Sequence, residues 1–164
     1  MMKTITVLLT KYSDWISWIV YHIGGRGYTH SSLGLENEDC FYSFNYHGFC
    51  VETLEKHKRR GIENCLVYEL QIPEQDYERI KKRIHEVYCQ REQYSYTRLG
   101  LALAVLKIPF KWKNHYFCSQ FVAELLKEYG GVPLKKNINT YLPNHFYHEL
   151  KNSCFLKKTC YNTL

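Results

Sequence analysis

Apolar and polar positions along the chain follow two different periods, and the period changes near its middle. The run "ITVLLT" (5–10) is short, apolar and β-branched, which predicts a buried strand. In "SDWISWIVYHI" the apolar positions 15, 16, 19, 20 and 23 fall at helical spacing, with Ser13 as a possible N-cap and Gly24–Gly25 as a stop. "YTHSSLGLE" and "CFYSFNY" predict an antiparallel hairpin turning at "NED", then a charged loop, then a strand over "CLVYELQI" (65–72).

Beyond Pro73, positions 77, 80, 84, 87 and 88 of "PEQDYERIKKRIHEVYCQ" repeat at helical spacing. "LGLALAVLKIPF" (99–110) is shorter than the roughly 20 residues of a membrane span, and predicts a buried helix stopped by Pro109. "NHYFCSQFVAELLKEYGG" (114–131) places Phe117, Phe121, Val122, Leu125, Leu126 and Tyr129 on one helical face, with Asn114 as a possible cap. "LPNHFYHEL" predicts a last short helix and "CFLKKT" an edge strand. Strands gather in the first half and helices in the second, which is an α+β pattern.

Length bounds the organisation: 164 residues, 45% of them hydrophobic, suffice for one core and predict a single domain over 1–164. The formal charge of +6 is spread over scattered pairs, such as "KHKRR" and "KWK". Solvated surface accounts for it, and with no nucleic-acid motif a nucleic-acid partner is not expected. Seven cysteines without a C-x-x-C pair argue against both a zinc ribbon and a closed disulfide framework. Together with an N-terminal apolar run too short for a signal sequence, they predict a cytoplasmic protein.

The candidate chemistry begins at Cys118. Near the start of a helix, unpaired backbone N–H groups and the positive end of the dipole favour a thiolate, although the same position suits a small buried residue. His30 opens a predicted strand, and alternation puts it on one face with Ser32, Gly34 and Glu36, the small residues leaving room for a substrate. It is a candidate base or, in the plainer reading, a hydrogen-bonded strand-end histidine. His145 and His148, with Cys154 and Cys160 beyond, would need to converge to hold a metal, and no metal is expected. "GGRG" precedes a strand, whereas a phosphate cradle precedes a helix.

"YTHSSLGLENEDCFYSF" followed far downstream by "NHYFCSQFVAELL" resembles the YiiX/YaeF-like branch of the NlpC/P60 superfamily, with a permuted papain-like fold. The shared marks are a histidine opening a strand in the N-terminal half and a cysteine followed by serine at the head of a later helix. The resemblance spans roughly residues 3–155. It implies an antiparallel sheet packed against helices, with the nucleophile helix in the C-terminal half. It also makes Cys118 the nucleophile and His30 its base. A third polar residue on the next strand would orient the imidazole; the count falls on Ser43, with Asn45 and Tyr42 as alternatives. None of these is a carboxylate or histidine, which departs from the family pattern. The Cys118 backbone N–H, Ser119 beside it and the Tyr28 phenol are the candidates for oxyanion and substrate contacts.

The resemblance thus implies a thiol hydrolase or acyltransferase, without cofactor, acting on a peptide, cell-wall-fragment or lipid acyl substrate. The alternative is a binding module that keeps the cleft without the chemistry. A weak membrane-surface contact is a further expectation, because Tyr94, Tyr96, Lys107, Lys111 and Trp112 flank the apolar run 99–110 in a mixture that suits an interface.

Overall fold

The computed structural model describes residues 1–12, 21–22, 27–62 and 64–162. The helix expected over 13–23 lies for the most part outside them. Six strands form one antiparallel sheet: β1 (Met2–Thr10), β2 (His30–Leu35), β3 (Cys40–Asn45), β4 (Gly48–Thr53), β5 (Cys65–Pro73) and β8 (Leu156–Tyr161), in the order β4-β3-β2-β1-β5-β8. The protein is α+β, as the pattern of periods predicted. The tail strand β8 takes the sheet edge beside β5, also as expected.

Strand alternation divides the sheet into two faces. Ile5, Val7 and Leu9 of β1 lie opposite Leu70, Tyr68 and Leu66 of β5, and these pairs belong to the main core. Helix α2 (Glu74–Cys89) covers this face with Tyr77, Ile80, Ile84 and Val87, four of the five positions its periodicity marked; the fifth, Tyr88, is exposed. Helix α4 (Cys118–Glu124) packs on β2 and β3, bringing Phe121 and Val122 into the same core. It continues as a wider turn over Leu125–Tyr129, in which the Gly130 N–H donates to the Leu125 carbonyl (2.8 Å). The opposite face carries a smaller cluster of Leu8, Phe41 and Cys65. Gly34 belongs to that side because a Cβ there would lie 3.0 Å from the Phe41 ring. The room expected at Gly34 for a substrate is therefore filled by Phe41.

Three segments differ from the sequence reading. The charged loop after β3 is instead strand β4 and helix α1 (Leu54–Arg59), the helix capped by Thr53, whose side chain accepts from the Lys56 N–H. The run 99–110 forms helix α3 (Arg98–Val105), which stops before Pro109 and buries only Gly100, Leu101 and Ala104. Helix α4 begins at Cys118 itself, with Phe117 as its N-cap, so Asn114 is not the cap. Two short strands, β6 (Ser95–Tyr96) and β7 (His115–Tyr116), pair in parallel at the base of the segment holding α3. Helix α5 (Pro143–Leu150) precedes β8. Among the described residues, no helix is long and apolar enough to cross a membrane.

Candidate active site

Three separate elements meet where β2 begins. Cys118 is the first residue of α4, His30 the first of β2, and Glu52 lies near the end of β4. Strand register explains how Glu52 arrives there. It stands opposite Phe41 on β3, Phe41 stands opposite Gly34 on β2, and alternation puts Glu52, Ser32 and His30 on one face. Glu52 Oε2 lies 2.9 Å from His30 Nε2, with the carboxylate 1% and the histidine 7% exposed. That contact leaves Nδ1 as the ring nitrogen free to face the Cys118 thiol, which lies close enough to the ring for each group to shift the protonation of the other.

The electrostatics follow from this contact chain. Burial alone would raise the Cys118 pKa, but the hydrogen bond and charge of His30 outweigh it, helped by the Ser31 and Ser119 backbone N–H groups, and hold the thiol below its ordinary value. For His30, burial opposes the charged form, yet the Glu52 charge and the bond to Cys118 raise its pKa to about 10. Burial also works against an ionised Glu52, which His30 and then His57 and Lys56 overcome, lowering its pKa to about 2. Thiolate, imidazolium and carboxylate thus support one another in a site that hides all three from water.

Further groups brace the carboxylate. Tyr12 presents its ring edge-on to His30, with centroids 5.0 Å apart. Its hydroxyl lies 3.5 Å from Glu52 Oε1 and 3.1 Å from His57 Nδ1, and it accepts from Arg60 at 3.3 Å. His57 is fully buried, with Nε2 3.7 Å from Glu52 Oε2. Burial, together with the nearby positive groups, keeps its pKa below the ordinary histidine value despite Glu52.

The expected site residues separate on this geometry. Cys118 and His30 come together. Ser43 does not orient the imidazole: its hydroxyl donates to the Ser31 carbonyl at 2.7 Å, bracing β2 where the β2–β3 ladder has ended. The alternatives Tyr42 and Asn45 are also elsewhere, with Tyr42 donating to Glu38 and Asn45 accepting from the His47 N–H. Tyr28 precedes β2 and does not share its strand face. Its ring packs near Tyr147, and it lines a cleft of about 440 Å³ with Lys11, Asn144 and Tyr161. Ser119 is next to the sulfur and fully buried; its backbone N–H helps lower the Cys118 pKa, and its hydroxyl has no protein partner among the described residues.

Glu52 is the residue that sequence reasoning missed. Two signals mark it: the "NYHG" turn after β3, where Gly48 takes φ +106°, and Thr53 as a helix cap immediately behind it. The conjectured metal ligand His145 is committed elsewhere, with Nδ1 accepting from the Leu142 N–H and Nε2 2.9 Å from Lys136 Nζ. Among the described residues, no group of three or more His, Cys, Asp or Glu side chains is placed to hold a metal ion. No protein-family model and no curated protein matches this chain.

Proposed function

We propose that this protein is a thiol-dependent acyl-transfer enzyme, a hydrolase or acyltransferase with a permuted papain-like arrangement, in which Cys118, His30 and Glu52 act as nucleophile, base and orienting carboxylate. The observation that carries this reading is the buried Glu52 carboxylate, 2.9 Å from Nε2 of His30. A buried ion is costly without a partner, and here its partner is the ring that must be held in one tautomer to exchange a proton with sulfur.

The Cys118 thiolate attacks the carbonyl carbon of an amide or ester, and the carbonyl π electrons move to oxygen. The first backbone N–H groups of α4 have no intrahelical partner and are available to that oxyanion. As the tetrahedral species collapses, the carbon–heteroatom bond breaks and the leaving group takes the proton of the His30 imidazolium. The resulting thioester is resolved by water, an amine or an alcohol, whose proton returns to His30 as the thiolate departs. The substrate is a peptide, cell-wall-fragment or lipid acyl group.

A third position without a carboxylate or histidine, as at Ser43, would favour the binding-module alternative; Glu52 beside His30 instead supports the acyl-transfer reading. Incubation with an activated acyl ester, followed by mass analysis of the intact protein and its peptides, tests the proposal. The expected result is one acyl group on Cys118, lost in Cys118→Ala. Acylation shared by the exposed Cys89 and Cys154, with Cys118 unmodified, would sink it.

A further inference from the structure

The segment between β6 and β7 is an excursion whose helix packs along one side on the turn Ile138–Thr140 and on Leu142. Its base is closed by the parallel pairing of Ser95–Tyr96 with His115–Tyr116, reinforced by the Thr97 N–H donating to the Tyr116 carbonyl (3.0 Å). Its inner side is anchored by Leu101 and Ala104, which pack with Leu142 and with Phe117, the residue preceding Cys118. Val105 packs partly against them, but four large apolar residues are left uncovered: Leu99 is 53% exposed, Leu106 66%, Ile108 49% and Trp112 51%. Four large apolar side chains left in water within one short excursion are a cost that folding alone does not explain.

The tip is rigidly shaped. Helix α3 ends with the Ile108 N–H donating to the Leu103 carbonyl (2.8 Å) and the Lys107 N–H to the Ala104 carbonyl (3.0 Å), while Lys107 takes φ +61°. This is the hydrogen-bond pattern that usually places glycine in the left-handed position, and here a lysine occupies it. Trp112 is held by stacking on the His115 ring, with centroids 4.0 Å apart and planes within 6°.

Along the segment itself the charge has one sign, although Lys111 is paired with Glu124 at 3.7 Å. Arg98, Lys107, Lys111 and Lys113 lie on the excursion, and the chain has no Asp or Glu between Glu92 and Glu124. Lysine is depleted in the cores of protein–protein interfaces, whereas lysine interleaved with tryptophan and leucine is the composition of surfaces that rest in a lipid headgroup layer. We propose that residues 97–114 form a docking finger for an anionic membrane surface, with Leu106, Ile108 and Trp112 entering the headgroup–acyl boundary and Arg98, Lys107 and Lys113 lying against the lipid charges. The inference does not depend on the acyl-transfer chemistry.

Sedimentation of the full-length chain with vesicles tests it, comparing phosphatidylcholine alone with a mixture holding about one third phosphatidylserine. Strong low-salt binding to the anionic vesicles is expected, with much weaker binding to the neutral ones. Lys107→Asn with Lys113→Gln should weaken partitioning about thirtyfold, from roughly fivefold per cation near such a surface. Leu106→Ser with Ile108→Ser should weaken it about tenfold or more. Both pairs are exposed, so thermal unfolding should be unchanged. Brominated lipid should quench tryptophan emission, and Trp112→Phe should remove most of that quenching.

The proposal is overturned by wild-type protein that does not sediment at low salt, or by a Leu106/Ile108 double variant that sediments like wild type. It also fails if the chain ignores vesicles but self-associates through these residues, since the face would then belong to a second copy. Sedimentation of Cys118→Ala, expected to match wild type, keeps docking and chemistry separable.

Discussion

Glu52 and Glu124 are both buried carboxylates, 1% and 2% exposed, yet their surroundings are opposite in kind. Glu124 is enclosed by donors: Arg83 reaches Oε1 through Nε and NH2, the Tyr116 hydroxyl donates to both oxygens, and Lys111 lies 3.7 Å from Oε2. Around Glu52 the partners are titratable, and among the described residues Thr10 Oγ1 opposite His30, Ser32 Oγ on the same strand face, His57 Nε2 and Ser119 Oγ beside Cys118 are buried without a protein hydrogen-bond partner. A saturated network resists change and holds α2 to α4. One with spare hydrogen-bonding capacity is what proton transfer and substrate binding require.

Breaking the saturated network should have the largest effect. Arg83→Met leaves Glu124 with a buried charge and only a phenol and a distant lysine, at an expected cost of about 3–5 kcal/mol in urea unfolding. The reactivity of Cys118 in the folded fraction should stay within about twofold, because among the described residues the hydrogen bonds and ion pairs of Glu124 reach none of Cys118, His30 and Glu52. A stability loss under about 1 kcal/mol would mean that the enclosure of Glu124 is not what it seems from geometry.

His30→Ala inverts the outcome. Without the imidazolium, burial dominates and the thiol pKa rises to or above the ordinary value of about 8.5, so alkylation of Cys118 by iodoacetamide at pH 6 should fall about a hundredfold. Peptide-resolved labelling separates this thiol from the exposed Cys89 and Cys154. Equal Cys118 labelling in wild type and variant would remove the ion pair from the argument.

How much of this contrast could be read in the sequence depended on whether a residue's environment was set locally. The apolar faces of α2 and α4, the hairpin from His30 to Asn45, and the positions of Cys118 and His30 followed from period and punctuation. Glu52 did not, because an isolated carboxylate ordinarily reads as surface. It is buried only because β2 and α1 bring His30 and His57 to it from elsewhere in the chain. Tyr28 failed for a different reason: alternation holds only within a strand, and β2 starts at His30. The run 99–110 read as core because apolarity does not distinguish burial in protein from exposure at a tip, and only the fold leaves Leu106 and Ile108 outside.

Glu52→Gln sharpens the comparison with a smaller change. It preserves a hydrogen-bonding group but removes the charge that raises His30 to about 10 and that is itself held at about 2. In the wild type the thiolate–imidazolium pair should form as pH rises through the lowered Cys118 value and be lost as His30 deprotonates near 10. The variant should bring that alkaline limb down toward the ordinary histidine range and slow acyl transfer about tenfold for each pKa unit removed. For stability, the depressed Glu52 pKa contributes above the ordinary carboxylate value and is lost as pH falls through about 2. The raised His30 pKa contributes below about 6.5 and is lost as pH rises through about 10. Both limbs should flatten in Glu52→Gln, and an unaltered alkaline limb would exclude Glu52 as the source of the His30 shift.

The smallest expected effect distinguishes bracing from orienting at the position that the sequence favoured. The β1–β2 ladder runs to Thr10 and His30, but β3 pairs with β2 only at Leu33–Tyr42 and Gly34–Phe41, so β2 loses that neighbour as it approaches the site. Ser43 spans the gap through its 2.7 Å bond to the Ser31 carbonyl, and the Ser31 backbone N–H is among the groups that lower the Cys118 pKa. Ser43→Ala should therefore cost about 1 kcal/mol of stability, the usual net value of a single buried hydrogen bond. Because the hydroxyl touches neither ring nor thiol, the pH profile of Cys118 alkylation should keep both limbs in place. A profile displaced as far as that of Glu52→Gln would return Ser43 to the orienting role, with Glu52 left as its support.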